Sequence, residues 1–238
     1  MINTLLTIIL LMQAPIDSYN RGNEHYKNSE FASAIESYEM ALTLIQHPDL
    51  YYNLGNAYFK QGKIGKAIVN FQRALFFAPR DRDINFNLTF ARDYRIDKIR
   101  IAESPFSVIL RRVCRMLSMF ESQLITTILF LIAMFLLSIY VMNRRSLYGY
   151  LCICVVILCL FFGSMWLAWS NTLHARHAVV IVPEISALSG PGLDYKEILV
   201  LHDGAEVRIR ETRSDFALIQ IPGGLGGWVP VTSLEQIF

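Results

Sequence analysis

The order of hydrophobic and polar positions divides the chain into three regimes. From about Tyr19 to Tyr94, apolar residues recur at three- and four-residue spacing with polar residues between them, which predicts a series of amphipathic helices. Two blocks follow that are almost wholly apolar, residues 124–142 and 147–169. At about 1.5 Å per residue each is long enough to cross a ~30 Å hydrocarbon core. From Ala178 the pattern changes to alternation: AVVIV, EILVL, AEVRIRE, FALIQI and GWVPV are short runs separated by the turn-forming SGPG, HDG and PGGLGG. Alternation at period two between such turns predicts short strands.

The helical part repeats itself. At an offset of 33, Tyr19 aligns with Tyr52, Gly22 with Gly55, Asn23 with Asn56, Tyr26 with Phe59, Lys27 with Lys60, Ala34 with Ala67, Tyr38 with Phe71 and Ala41 with Ala74. A period near 34 is that of the tetratricopeptide repeat, a helix–turn–helix unit. Residues 48–81 resemble its full consensus, with Tyr51, Leu54, Gly55, Tyr58, Ala67, Phe71, Ala74 and Pro79 in place. Gly55 and Ala67 would let two helices approach closely, and Pro79 would end the second. The first repeat, 15–47, departs from the consensus at His25 and Gln46. The segment DRDINFNLTFARDY (81–94) echoes a third first-helix, Asn87-Leu88 matching Asn53-Leu54, and would cap the stack. The array is therefore expected over 15–95.

First helices of such arrays line a concave groove. Here the groove residues are expected to be Tyr19, Asn23, Tyr26, Lys27, Tyr52, Asn56, Phe59, Lys60, Phe86 and Phe90. Aromatics interleaved with asparagines and lysines suit an extended peptide, whose backbone the amides pair and whose side chains the rings stack on. Packing of these rings against the apolar blocks or a neighbouring helix is the competing reading. Chaperone-type arrays that hold a C-terminal carboxylate use several cations, and Tyr19 and Asp83 stand where such cations would sit, so that ligand is not expected.

The two apolar blocks are separated by Asn143, Arg144, Arg145 and Ser146 alone, which forces a helical hairpin. Tyr140, Tyr148 and Tyr150 mark one membrane interface, Trp166 and Trp169 the other. An even number of spans returns the chain to the side it left. Arg144 and Arg145 favour a cytoplasmic turn, but Arg111, Arg112, Arg115 and Arg176 flank the other side. The N-terminal segment 1–14, MINTLLTIILLMQA, has an apolar run too short to span, as in a secretory signal, although it lacks a basic start and Pro15 follows Ala14. Export would place 15–120 and 170–238 outside the cytoplasmic membrane. Within 104–121, Phe106, Ile109, Val113, Met116, Leu117 and Phe120 share one helical face and Arg111, Arg112 and Arg115 the other. That is the pattern of a helix lying in the headgroup plane, or of an ordinary surface helix.

The five predicted strands span about 60 residues, as in a small barrel. ALSGPG and GGWVPVTSLE resemble the corresponding stretches of bacterial SH3-type domains, with Ala187 and Phe216 as departures. Residues 178–238 are thus expected to form an all-β SH3-like barrel. Trp228 is either a core plug of that barrel or an exposed contact. The fold class is that of a multidomain membrane protein: an all-α tetratricopeptide array, a two-helix transmembrane hairpin and a C-terminal all-β small barrel.

Composition narrows the function. A net charge of +2 gives no reason to expect nucleic acid. Of four cysteines, three lie in an apolar block and no CxxC occurs, so neither a disulfide framework nor a zinc site is expected. His174 and His177 lack a third ligand nearby. No P-loop, GxGxxG, HExxH or GxSxG is present, and no cofactor, metal or enzymatic activity is expected.

Taken together, YYNLGNAYFKQGKIGKAIVNFQRAL, PRDRDINFNLTFAR, the hairpin and GWVPVTSLE resemble the E-type branch of the Bacteroides aerotolerance (Bat) family over nearly the whole chain. The resemblance implies a partner, at the bacterial inner membrane, of Bat proteins with von Willebrand A domains and of a MoxR-type ATPase, linked to aerotolerance and envelope stress. The expected function is a non-enzymatic, membrane-anchored interaction scaffold. Two alternatives are a cell-wall module, whose barrel binds peptidoglycan while the repeats act as a spacer, and a sensor whose His or Cys residues respond to oxidant.

Overall fold

A computed structural model of the chain describes residues 2–98, 109, 113–114 and 116–238, with side chains from Gln13 onward. It divides into two compact units: residues 1–102 together with 175–238, and residues 103–174. The expected interfacial helix at 104–121, with Phe106, Arg111, Arg112 and Arg115, lies largely outside the described residues.

The first unit opens with five helices: α1 (Ile2–Lys27), α2 (Phe31–Leu42), α3 (Pro48–Lys60), α4 (Ile64–Phe77) and α5 (Arg82–Asp93). Local sequence sets their ends. Pro48 stands at the start of α3, where its missing N–H costs nothing. Gly62, at φ 74°, turns the chain between α3 and α4. The Asp81 carboxylate accepts from the Asp83 and Ile84 amides at 2.9 and 3.1 Å and caps α5. α1 runs through Pro15 without interruption.

Helix pairs close as the repeat pattern requires. A Cβ at Gly22 would stand 2.5 Å from the Tyr38 ring, and one at Gly55 would stand 2.7 Å from the Phe71 ring. The core between the helices holds Ala34, Tyr38, Ala41, Leu54, Ala57, Tyr58, Ala67, Ile68, Phe71, Ala74, Ile84 and Leu88, all buried.

The C-terminal part of the unit is one antiparallel sheet of seven strands among the described residues: β1 (His177–Val180), β2 (Glu184–Leu188), β3 (Glu197–His202), β4 (Glu206–Arg213), β5 (Phe216–Gln220), β6 (Gly226–Pro230) and β7 (Leu234–Gln236). Their order is β3-β2-β6-β5-β4-β1-β7, with β3 and β7 at the edges. The sheet is not closed, unlike the expected barrel. The five-strand expectation missed β2 and β7. EISAL carries an alanine beside Ile185 where a strong alternation would need a second large apolar residue, and LEQ is three residues long.

The open edge at β7 has another partner. Arg73 of α4 donates to the carbonyls of Ile237 and Gln236 at 2.9 and 2.7 Å and pairs with Glu235 at 2.8 Å. Val179 and Ile237 belong to the apolar core of the helical array. Asp203 accepts from the Gly65 amide at 3.0 Å, and Asp97 accepts from the His202 amide at 2.7 Å. The sheet is thereby seated on α4 and the end of α5.

Glu206 is the electrostatic centre of this junction. It receives Arg92 through Nε and Nη2 at 2.8 and 2.6 Å, Arg95 Nη1 at 2.7 Å and Gln72 Nε2 at 2.6 Å. Burial alone would raise its carboxyl, but the hydrogen bonds and charges of Arg92 and Arg95, with Gln72, outweigh that and hold it below the ordinary value of 4.5.

The second unit contains α6 (Met119–Asn143) and α7 (Ser146–His174), both long and apolar enough to cross a membrane. They pack as an antiparallel pair. α6 starts with a capping box between Ser118 and Glu121, and Arg144, at φ 50°, ends it in the left-handed conformation. The indole of Trp169 donates to the Leu117 carbonyl at 3.0 Å. Cysteine thiols face the helix contact, Cys152 Sγ 3.5 Å from the Ala133 carbonyl and Cys159 Sγ 3.7 Å from that of Thr126.

Candidate functional site

The face shared by α1, α3 and α5 is built on a two-rung ladder of asparagines. Asn53 Nδ2 donates to the Tyr19 hydroxyl and to Asn23 Oδ1, both at 3.1 Å. One repeat on, Asn87 Nδ2 donates to the Tyr52 hydroxyl at 3.0 Å and to Asn56 Oδ1 at 2.8 Å. Each asparagine thus ties its helix to the first helix of the preceding unit. Asn23 Oδ1 accepts a further bond from Tyr38 Oη at 2.8 Å. Burial, with Tyr19 and Tyr26 nearby, pushes the Tyr38 hydroxyl far above its ordinary range, so it remains a protonated donor.

These bonds change the role expected of Asn23 and Asn56. Their carbonyl oxygens serve the fold, which fixes each amide and leaves the Nδ2 groups as its outward donors. Tyr19 and Tyr52 likewise accept through their hydroxyls and lean on Tyr38 and Phe71, with ring centroids 6.1 and 6.0 Å apart. Tyr26 packs edge-on against Phe31 at 5.4 Å. Lys27 and Lys60 are exposed at the helix ends.

At the α5 end the rings gather into an open cluster. Phe59 lies 5.5 Å from Phe90 and 5.2 Å from Tyr94, and Phe90 lies 6.2 Å from Phe86 and 5.0 Å from Tyr94. Phe86, Phe90 and Tyr94 remain 67, 43 and 60 % exposed. Exposed aromatics that touch one another form a contiguous apolar patch, as interaction surfaces do. Tyr94, Asn53 and Asn87 were missed as groove residues. The Asn53–Asn87 echo is visible in the sequence, where it identifies residues 81–94 as like the first helix of a repeat rather than as bonding to the preceding unit.

Trp228 is only 8 % exposed, on the sheet face where it pairs across from Leu218 and Leu188. The Arg213 guanidinium lies 5.4 Å over its ring.

Residues 48–81 match the family model described as tetratricopeptide repeat, and residues 22–62 match a second, described as TPR repeat. The two matches cover α3 and α4 and reach back into α1. A comparison with curated proteins finds none that matches. Tetratricopeptide repeats are protein-interaction modules, and the matches support that general role for the array.

Proposed function

We propose that the protein is a non-enzymatic, membrane-anchored scaffold that recruits a segment of another protein through the groove face of its array. The observation that carries this reading is the exposed cluster of Phe86, Phe90 and Tyr94 beside Phe59. The chain's own sheet occupies α4 and the end of α5, which leaves the α1–α3–α5 face for partners. α6 and α7 cross the bacterial inner membrane as a hairpin, with Arg144 and Arg145 in the cytoplasm and both flanking segments outside. That the flanks 1–102 and 175–238 build one compact unit supports their lying on the same side. The Bat resemblance supplies the class of partner, membrane-associated proteins with von Willebrand A domains working with a MoxR-type ATPase in envelope stress.

The test uses the full chain in detergent or nanodiscs, because array and sheet share a core. Partners captured by wild type are compared with those captured by Phe86→Ala/Phe90→Ala. Equal recovery of every partner would sink the groove assignment. Labelling of Ser214→Cys and Arg145→Cys, each in a chain whose four native cysteines are replaced by alanine, by a membrane-impermeant thiol reagent in spheroplasts checks the topology: the first is expected to react and the second not.

A further inference from the structure

The asparagine ladder stops at α5. In each first helix, the ladder asparagine is flanked by the two residues that receive the next helix. Around Asn53 these are Tyr52, one position before it, and Asn56, three after it, which accept from Asn87 of α5. Tyr19 and Asn23 hold the same places around Asn20 and accept from Asn53. In α5 the same offsets from Asn87 fall on Phe86 and Phe90. The positions that carry the following helix elsewhere in the stack therefore hold two phenyl rings here, 67 and 43 % exposed.

The terminal helix of a repeat stack needs a polar outer face to stay soluble, and α5 has an aromatic one instead. Its other sides are taken. Ile84, Leu88 and Ala91 are buried in the core of the array, and Arg92 and Arg95 hold Glu206 of the sheet. What remains open is a continuation of the α1–α3–α5 interface, one helix further on. Tyr94, 60 % exposed and 5.0 Å from Phe90, lengthens it towards the end of α5.

The register also decides what can lie there. A second copy stacked end to end would bring its own α1, with Asn20 in the ladder position. Asn20 is exposed and makes no side-chain hydrogen bond among the described residues. Against Phe86 and Phe90 its amide would be buried without an acceptor, which opposes such stacking. A helix with an apolar face buries the two rings and leaves no donor unpaired. We infer that the Phe86–Phe90 face of α5 is a docking site for an amphipathic helix of a partner protein, laid along α5 as α5 lies along α3. This rests on the scaffold reading above and specifies its partner as helical rather than extended. Recognition would run through apolar residues at i, i+4 and i+7 of that helix, at an interaxial distance of about 8–10 Å.

The test uses the full chain in phosphatidylcholine nanodiscs, with empty discs as the baseline. The probe is a fluorescent, hydrocarbon-stapled peptide of about four helical turns, with leucines at i, i+4 and i+7 on one face and glutamine and serine on the other. Its anisotropy is expected to report binding to wild type and at least about tenfold weaker binding to Phe86→Ala/Phe90→Ala. Phe86→Tyr/Phe90→Asn, which restores the pair found on α3, should weaken it too, because the leucine face would bury the new amide unpaired. The same peptide without its staple and with a central proline should bind at least about tenfold more weakly, since proline breaks the helix. Thermal melts of both variants verify folding. If the proline peptide binds as tightly as the stapled one and both need the two rings, the partner is extended: the helix inference fails and the scaffold reading stands. If neither peptide prefers wild type to Phe86→Ala/Phe90→Ala, the inference and the groove assignment fall together. Self-association of wild type that Phe86→Ala/Phe90→Ala abolishes, read by light scattering, would seat a second copy on this face and overturn the inference.

Discussion

Asp203 caps helix α4 from 138 residues away: its Oδ1 accepts the Gly65 amide at 3.0 Å. Lys63, the residue preceding the helix, makes no side-chain cap bond of its own. Gly65 is required for the approach, since a Cβ there would lie 2.2 Å from the Val180 carbonyl and 2.4 Å from the Asp203 carboxylate. A repeat helix and a strand-to-strand turn, separated in sequence by both apolar helices, thus complete each other.

Loss of that cap has a defined size. Asp203→Ala is expected to lower stability by about 1–2 kcal/mol in denaturant unfolding of the detergent-solubilised chain. Burial raises the Asp203 carboxyl above its ordinary 3.8, against the pull of the Gly65, Ile64 and Gly204 amides. A raised folded value contributes stability at low pH and loses it as pH rises through that value. Asp203→Asn keeps the acceptor oxygen without the buried charge, so at pH 7 it is expected to match wild type. Gly65→Ala, which pushes into backbone, should be the most damaging of the three.

Glu206 has the opposite pH signature. Its carboxyl is depressed in the folded state, so its contribution is present above 4.5 and lost as pH falls through the folded value. Acid melts of wild type should therefore weaken below about pH 4.5, and Glu206→Gln should flatten that limb while lowering stability at pH 7 by about 2 kcal/mol. Solvent screens the pair, because the Glu206 and Arg92 side chains are partly exposed, at 26 and 37 %. An unchanged acid limb in Glu206→Gln would count against the junction's electrostatic role.

Much of the array was legible because its signals are local. Gly22, Gly55, Ala34 and Ala67 sit where two helices must touch, and small residues at a fixed offset show in one sequence. The helices that carry the expected groove residues were legible in outline, since alignment at offset 33 puts those residues on α1, α3 and α5. Its chemistry was not: whether Asn56 offers its oxygen to a ligand or to Asn87 depends on how two helices stack. The seating of the sheet was hidden for the same reason. Arg73, Arg92 and Glu206 look like ordinary surface charges until residues more than a hundred positions apart are brought together. Closure of the sheet is not encoded locally, because alternation and turns specify strands but not what their edges meet.

The asparagine ladder makes a stability prediction. Asn87→Ala removes two donors that join α5 to α3, and it should cost about 1–2 kcal/mol by denaturant unfolding. If the bond to Asn56 carries the effect, a double-mutant cycle of Asn87→Ala with Asn56→Ala should show coupling of at least about 0.5 kcal/mol. Strict additivity would mean that the helices are held by packing alone.

Phe90→Ala separates binding from folding. Phe90 touches Phe59, Phe86 and Tyr94, but it remains 43 % exposed, so truncation leaves no closed cavity and should cost under about 1 kcal/mol of stability. A partner seated on the cluster would lose a central aromatic anchor, worth about 2 kcal/mol or roughly thirtyfold in affinity. Asn87→Ala should show the reverse balance, a larger loss of stability with weaker binding only in proportion to unfolding. Affinity of a captured partner, measured beside the melting curve of each variant, distinguishes the two. If Phe90→Ala binds as tightly as wild type while Asn87→Ala binds less, the aromatic patch is packing surface and the recognition face lies elsewhere on the array.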